Sequence, residues 1–155
     1  MKRYTGKISF IITLLWVAVI FSFSLQPATT SSQVSRGVGH WIVDTFVPFL
    51  SERLETMPMG RLELLHTLLR KAGHFSEYFI LGILAMLTVS QTKLRYGKLS
   101  ALVFCVLVAA VDEIIQLFVS GRSGQVTDVM LDSVGALCGI AVLMGVRKIL
   151  KRISV

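Results

Sequence analysis

The stretch Arg70-Lys71-Ala72-Gly73-His74-Phe75-Ser76-Glu77-Tyr78 opens an apolar run that continues to Ser90. It places a histidine and a glutamate in a segment whose composition is otherwise that of a membrane span. Two further stretches share this property, Asp112-Glu113-Ile114-Ile115-Gln116 and Asp128-Val129-Met130-Leu131-Asp132. Ionisable groups are costly in lipid, so they are candidates for a functional role. The rest of the chain is predicted to bring these three stretches together.

The composition of the chain assigns it to the membrane class. Of its 155 residues, 54% are hydrophobic, and the mean hydropathy is +0.72, which is unusual for a soluble protein. The length favours one domain. In a soluble protein the net charge of +7 would indicate nucleic-acid binding, but the distribution of that charge, described below, excludes this class. Cys105 and Cys138 lie in apolar runs and are interpreted as packing residues.

Four apolar runs are long enough to cross a bilayer. The first has no convincing small-x-small cleavage site after it, so it is interpreted as a retained span and not as a signal peptide. We therefore predict an all-α integral membrane protein, with residues 1–155 forming a single domain and spans at about 8–25, 73–90, 99–119 and 126–146.

The connection from residue 28 to residue 69 has no span of its own. Apolar residues around Trp41 recur near helical spacing, which fits either an amphipathic helix in the membrane interface or a loosely packed helical lid. Pro58 suits the first turn of a second amphipathic helix, which leads into the second span with Gly73 as a potential bend.

Positive charge predicts the orientation of the spans. The N-terminal segment, the turn at 91–98 and the C-terminal tail carry most of the 16 Lys and Arg residues and none of the nine acids. With four spans these three segments lie on one side, which the positive-inside rule makes cytoplasmic. Both termini are therefore expected inside, and the 28–69 connection outside.

This topology places every ionisable residue of the spans in their outer halves, in one polar chamber. Helical spacing puts Arg70, His74, Glu77 and Tyr78 on one face of the second span. Gly135 and Gly139 continue the face of Asp132, and this small-residue surface suits helix contacts within the chain or between two copies in a homo-oligomer. The candidate acid–base residues are His74, Glu77, Asp112, Glu113, Asp128 and Asp132. The candidate ligand-binding residues are Arg70, Lys71, Tyr78, Gln116, Arg122, Ser24 and Gln26.

The order of these residues resembles that of the VanZ-like membrane proteins. The matching features are Trp16…Phe21-Ser22-Phe23-Ser24-x-Gln26, Arg70-Lys71-x-x-His74-Phe75-x-Glu77-Tyr78-x-x-x-Gly82, Asp112-Glu113-x-x-Gln116-x-Phe118-Val119-x-Gly121-Arg122 and Asp128-x-x-x-Asp132-x-x-Gly135-x-x-x-Gly139. Ser120 stands where this pattern more often has proline, and Gly73 where it more often has alanine. The resemblance implies a multi-pass protein of the bacterial plasma membrane, linked to resistance to lipid-tailed antibiotics such as teicoplanin-type glycopeptides and lipopeptides. It implies no mechanism.

Two functional hypotheses remain open on these residues. In the first, the chamber binds a membrane lipid or a lipid-tailed antibiotic, with Arg70, Lys71 and Arg122 at the headgroup. In the second, the protein is an enzyme acting on a lipid headgroup by hydrolysis or transfer. Its histidine and carboxylates would then serve as general acid and base, or hold a divalent metal, Mg²⁺ or Mn²⁺.

Two other roles compete with these hypotheses. The polar residues could serve only to hold the helices together. A proton-coupled transporter is disfavoured by the small number of spans and by the lack of internal repeats and of polar residues in the inner halves.

Overall fold

The computed structural model describes residues 2–29, 33, 37, 59–92 and 94–153. Within these ranges the chain forms four long α-helices and no strand. They are α1 (Lys2–Ser24), α2 (Met59–Val89), α3 (Gly97–Leu117) and α4 (Val126–Ile153). Each contains a segment long and apolar enough to cross a membrane: Gly6–Ser24, Thr67–Val89, Gly97–Leu117 and Val126–Ile153. The prediction of an all-helical protein with four spans is confirmed.

Helix α2 is longer than the span predicted within it. The sequence suggested an amphipathic helix after Pro58 and then a span from Gly73, whereas the structure has one continuous helix of 31 residues from Met59 to Val89. No proline interrupts this segment. Gly73, the predicted bend, lowers the stability of the helix by only about 1 kcal/mol relative to alanine. The predicted interfacial helix around Trp41 lies outside the described residues.

Glycines bring α2 and α4 into direct backbone contact. These two helices share the most extensive interface of the bundle. A Cβ atom on Gly82 would overlap the backbone carbonyl of Ala136, and one on Gly139 would overlap the carbonyl of Phe79. One on Gly135 would lie 2.6 Å from the carbonyl oxygen of Phe75. Small residues in these positions let the two backbones pack closely, as is common between membrane helices.

The outer surface of the bundle is apolar and the buried core is small. In α1 only 11% of the most apolar stretch is buried, and large side chains such as Ile11, Leu15 and Leu107 are more than half exposed. A soluble monomer rarely exposes such a continuous apolar surface, whereas lipid is a suitable environment for it. The structure therefore supports a membrane protein by its surface as well as by helix length.

The connections between the helices form two opposite ends of the bundle. At one end the turn after α2 meets α1 and α4, through hydrogen bonds from Gln91 Nε2 to Ser9 Oγ (2.8 Å) and from Arg147 Nη1 to Ser90 Oγ (2.6 Å). We call this the basic end. At the other, the backbone N–H of Ala28 after α1 donates to Ser120 O in the α3–α4 turn (3.3 Å). This second end, which carries the ionisable residues of the spans, is called the polar end.

Candidate functional site

Residues from all four helices meet at the polar end. Helix α2 contributes His74 and Tyr78, α3 contributes Asp112, Glu113 and Gln116, α4 contributes Asp128 and Asp132, and the end of α1 contributes Ser24. Asp112, Asp132 and Tyr78 are completely buried, and Glu113, Gln116, Asp128 and Ser24 nearly so. The structure thus places these residues, which the sequence had distributed over four segments, in one buried region.

Four of these side chains form a tight group, which we call the carboxylate cluster: His74, Asp112, Glu113 and Asp132. Each offers one nitrogen or oxygen atom that can ligate a metal, and these atoms all lie within 4.8 Å of one another. Three helices contribute to the cluster. It contains three carboxyl groups and one imidazole, so its side chains carry excess negative charge whenever more than one carboxyl is ionised.

Several buried atoms of the cluster have no hydrogen-bond partner among the described residues. They are Nδ1 of His74, Oδ1 of Asp112 and both carboxylate oxygens of Asp132, and the hydroxyl of the adjacent Tyr78 is in the same condition. The distance from His74 Nδ1 to Asp132 Oδ2 is 3.8 Å, which is too long for a hydrogen bond. Buried polar atoms are rarely left unpaired, because desolvation without a partner costs free energy. These atoms therefore need partners that the described residues do not supply, such as ordered water, an ion or a ligand.

The remaining oxygens of the cluster are held in place by amide donors. Gln116 Nε2 donates to Asp112 Oδ2 (3.3 Å) and makes longer contacts of 3.4 Å with Ser24 Oγ and Glu113 Oε1. The backbone N–H of Gln125, just before α4, donates to Glu113 Oε2 at 2.7 Å. Gln125 is not among the site residues predicted from the sequence. No side-chain signal was available, because the donor is a backbone group near a helix N-terminus.

Asp128 lies beside the cluster but is paired with a cation. Lys71 Nζ donates to its Oδ1 at 2.9 Å, and the lysine side chain is 37% exposed while the aspartate is 9% exposed. The spacing of Asp128 and Asp132 suggested equivalent roles on one helix face. The structure instead gives Asp128 a lysine partner at 2.9 Å, whereas the ion-pair candidate of Asp132 among the described residues is His74 at 3.8 Å.

Two arginines, Arg70 and Arg122, lie close to each other, and Arg122 is also close to Asp112 and Glu113. The half-buried Arg122 donates from Nη2 to the carbonyl of Phe23 (3.2 Å), which joins the α3–α4 turn to α1. Burial of the guanidinium, followed by the neighbouring charge of Arg70, lowers the pKa of Arg122, while Asp112 and Glu113 act in the opposite direction. Among the described residues neither arginine forms an ion pair. Two adjacent cations that form no ion pair among the described residues are candidates for contact with an anion.

The other predicted site residues have weaker connections. Glu77 is close enough to His74, Asp112 and Asp132 to interact electrostatically, but it lies outside the carboxylate cluster. Its backbone carbonyl accepts a hydrogen bond from Trp16 Nε1 at 2.9 Å, which fixes α1 against α2. Gln26 is half-buried and forms no side-chain hydrogen bond within the described part of the chain.

A separate apolar groove lies between α3 and α4 at the basic end. It has a volume of about 530 Å³ and is lined by Lys98, Leu99, Leu102, Leu137, Ile140, Ala141, Met144, Gly145 and Lys148. None of the ionisable residues of the polar end contributes to it. The polar site residues and this apolar groove are therefore at opposite ends of the bundle.

Comparison with known proteins identifies one family. Residues 9–150 match the family model described as VanZ/LLP1, which covers nearly the whole chain and all four helices. No curated protein and no solved structure gives a match.

Proposed function

Because the chain belongs to the VanZ/LLP1 family, we propose that it is a plasma-membrane protein whose polar end faces outside and binds the headgroup of a lipid or lipid-tailed amphiphile. Teicoplanin-type glycopeptides are the ligands that fit the family name. Four helices long and apolar enough to span a membrane support the multi-pass placement. The positive-inside rule supports the outward direction of the polar end.

The observation that carries this proposal is a pair of adjacent arginines that form no ion pair among the described residues. Arg70 and Arg122 lie close enough to repel each other, and the described residues offer neither of them an ion pair. An arginine fork suits the two oxygens of a phosphate or carboxylate. The anionic headgroup of an amphiphile would relieve the repulsion while its acyl tail stays in the surrounding lipid.

Arg122 has the better geometry of the two for this role. It is half-buried, its position is fixed by the bond to Phe23 O, and it lies in the short turn that closes the polar end. Gly121 beside it has φ +75, a conformation that glycine adopts without strain. The turn therefore holds the guanidinium beside the site instead of leaving it free in water.

A direct binding measurement tests the proposal. The protein is placed in lipid nanodiscs and titrated with a fluorescent teicoplanin-type glycopeptide, and the signal of empty nanodiscs is subtracted because the lipid tail partitions into any bilayer. We expect Arg122→Gln to weaken binding about tenfold, which corresponds to about 1.4 kcal/mol. Arg95→Gln is the matched control, because Arg95 contacts Tyr96 in the turn of the basic end. Equal affinities of the wild type and Arg122→Gln would refute the proposal.

An enzymatic function is the second candidate, favoured by the histidine within 4.8 Å of three carboxylates. Such a group can move protons or activate water at a lipid headgroup. The same nanodiscs distinguish the two functions. After incubation the lipids and the probe are extracted and their masses are measured by mass spectrometry. An enzyme changes the mass of a lipid or of the probe, and Asp132→Asn abolishes that change while binding survives. If the masses do not change and binding is intact, the enzymatic function is refuted and only the binding function remains.

A further inference from the structure

We propose that His74, Asp112, Glu113 and Asp132 together bind one divalent first-row metal ion, Mn²⁺ or Zn²⁺. The site would join α2, α3 and α4 at the polar end. It goes beyond headgroup binding, because the ion can be bound whether or not an amphiphile is present.

The geometry of the four side chains suits a single ion. Bonds from zinc to nitrogen and oxygen ligands are about 2.0–2.2 Å, so two ligands on opposite sides of an ion are at most about 4.4 Å apart. The ligand atoms of the cluster all lie within 4.8 Å of one another. A tetrahedral ion with these bond lengths holds its ligand atoms about 3.3–3.6 Å apart, so the farthest pair must approach by about 1 Å to complete coordination. The 3.8 Å between His74 Nδ1 and Asp132 Oδ2 is too long for a hydrogen bond and close to the separation of two ligands of one tetrahedral ion.

The unpartnered atoms provide independent support for a ligand. Asp132 is completely buried and neither of its oxygens has a hydrogen-bond partner among the described residues, and the same holds for Oδ1 of Asp112 and Nδ1 of His74. These atoms belong to three of the four cluster residues. A metal ion would satisfy all of them at once.

Outer contacts of the kind that orient metal ligands are also present. Gln116 holds Oδ2 of Asp112, and the Gln125 backbone N–H holds Oε2 of Glu113. Each of these carboxylates keeps one oxygen that faces no strong donor. Such outer hydrogen bonds fix the direction of metal-ligating carboxylates.

The donor set decides which metals fit. Carboxylate oxygens suit Mg²⁺ and Mn²⁺, whereas imidazole suits the later transition metals. A set of three carboxylates and one imidazole therefore favours Mn²⁺ or Zn²⁺ over Mg²⁺, which rarely takes a nitrogen ligand and prefers to retain its water. The absence of a thiolate from the cluster argues against a metal that prefers sulfur ligands.

Metal analysis of the purified protein tests the site. The affinity tag is removed, the protein is stripped with a chelator and then equilibrated separately with Mn²⁺ and Zn²⁺. We expect about one ion per chain by elemental analysis. Bound Mn²⁺ should show a magnetic coupling to an imidazole nitrogen in pulsed electron paramagnetic resonance, and His74→Phe should abolish this coupling. A wild-type protein that retains no stoichiometric metal would overturn the proposal.

Conservative variants distinguish coordination from general attraction of cations to acids. Asp132→Asn and Asp112→Asn keep the shape of the side chain and should each weaken metal binding at least tenfold. Asp128→Asn removes an acid that is paired with Lys71 and should weaken it less than threefold. Ser133→Ala controls for folding, because within the described part of the chain the Ser133 hydroxyl bonds only to Val129 O of its own helix. Equal losses for Asp128→Asn and Asp132→Asn would show a diffuse acidic field and refute a specific site.

Folding of the variants is measured independently. Addition of Mn²⁺ or Zn²⁺ should raise the melting temperature of the stripped wild type, since a ligand that binds only the folded state stabilises it. If Asp132→Asn fails to fold, the shift in the melting temperature of the wild type and the imidazole coupling of bound Mn²⁺ still test the metal site. A melting temperature that neither metal changes would count against the site.

Discussion

At the scale of single residues, the burial of the Asp132 carboxyl without a hydrogen-bond partner among the described residues requires an explanation. Its carboxyl is completely buried and the nearest cationic candidate, His74, is 3.8 Å away. An isolated ionised carboxylate is not tolerated in an apolar medium, so this group must either hold a proton or face a cation. The sequence identified Asp132 as a candidate but could not distinguish it from Asp128, because spacing reports which helix face a residue occupies and not which partner it meets.

The Lys71–Asp128 pair is the residue-scale interaction that can be measured most cleanly. Removal of the lysine leaves a nearly buried aspartate without its partner, whereas removal of both charges leaves no such penalty. We expect Lys71→Met to lower the free energy of unfolding by about 1–2 kcal/mol, a value reduced from that of a buried pair because the lysine is 37% exposed. Lys71→Met combined with Asp128→Asn should recover most of this loss. A double-mutant cycle of unfolding in mild detergent measures it, and purely additive losses would show that the two charges do not interact.

At the scale of helices, the α2–α4 contact determines where the site residues lie. Phe75 and Phe79, whose carbonyls face Gly135 and Gly139, lie within one turn of His74 and Tyr78. The close backbone approach therefore sets the distance between the α2 and α4 sides of the carboxylate cluster. The sequence indicated a small-residue face on α4, and the VanZ-like pattern includes Gly82 on α2. Which helix that face would meet was left open, because a glycine face suits any close neighbour.

Substitution of these glycines should separate packing from helix propensity. In Gly139→Ala the new methyl group would overlap the Phe79 carbonyl, so the helices must move apart, and overpacking of this kind costs about 1–3 kcal/mol. Gly145→Ala is the matched control on the same helix, because nothing lies within 4 Å of its Cβ position. It should be neutral or slightly stabilising, since alanine is the better helix former. Thermal unfolding of both variants measures the difference, and a Gly139→Ala protein as stable as the control would contradict the close contact.

At the scale of the whole molecule, the ionisable residues of the spans are collected at the polar end, and the outer surface of the bundle is apolar. Hydropathy and helical period were sufficient to predict four spans and the meeting of their polar ends, because lipid leaves a chain few alternatives to helices. They were not sufficient to predict the single continuous α2, since a segment can be both amphipathic at its start and apolar at its end. The hydrogen bond from Trp16 Nε1 to the Glu77 carbonyl could not be predicted from the sequence either, because its acceptor is a backbone group.

The sidedness of the bundle is a whole-molecule prediction that decides whether the site can meet an external amphiphile. In a background where Cys105 and Cys138 are alanine, a cysteine at Ser123 in the polar-end turn should react with a membrane-impermeant maleimide on intact cells. A cysteine at Leu94 in the basic-end turn should react only after the cells are opened. Both positions are exposed, so accessibility of the side chain does not distinguish them. The reverse pattern would place the polar end in the cytoplasm and exclude binding from outside.

The short turn between α3 and α4 also has a consequence for how the protein enters the membrane. Each of these helices carries two acids near the turn, Asp112 and Glu113 on one side and Asp128 and Asp132 on the other. An aspartate costs up to about 2.5–3.5 kcal/mol when a helix is inserted alone. We therefore expect α3 and α4 to leave the insertion machinery as one hairpin, after α2 has supplied Lys71 and His74. A glycosylation tag in the turn would test this order of insertion. Chains that end before α4 and after α4 would be compared, to show whether α3 inserts only when α4 is present.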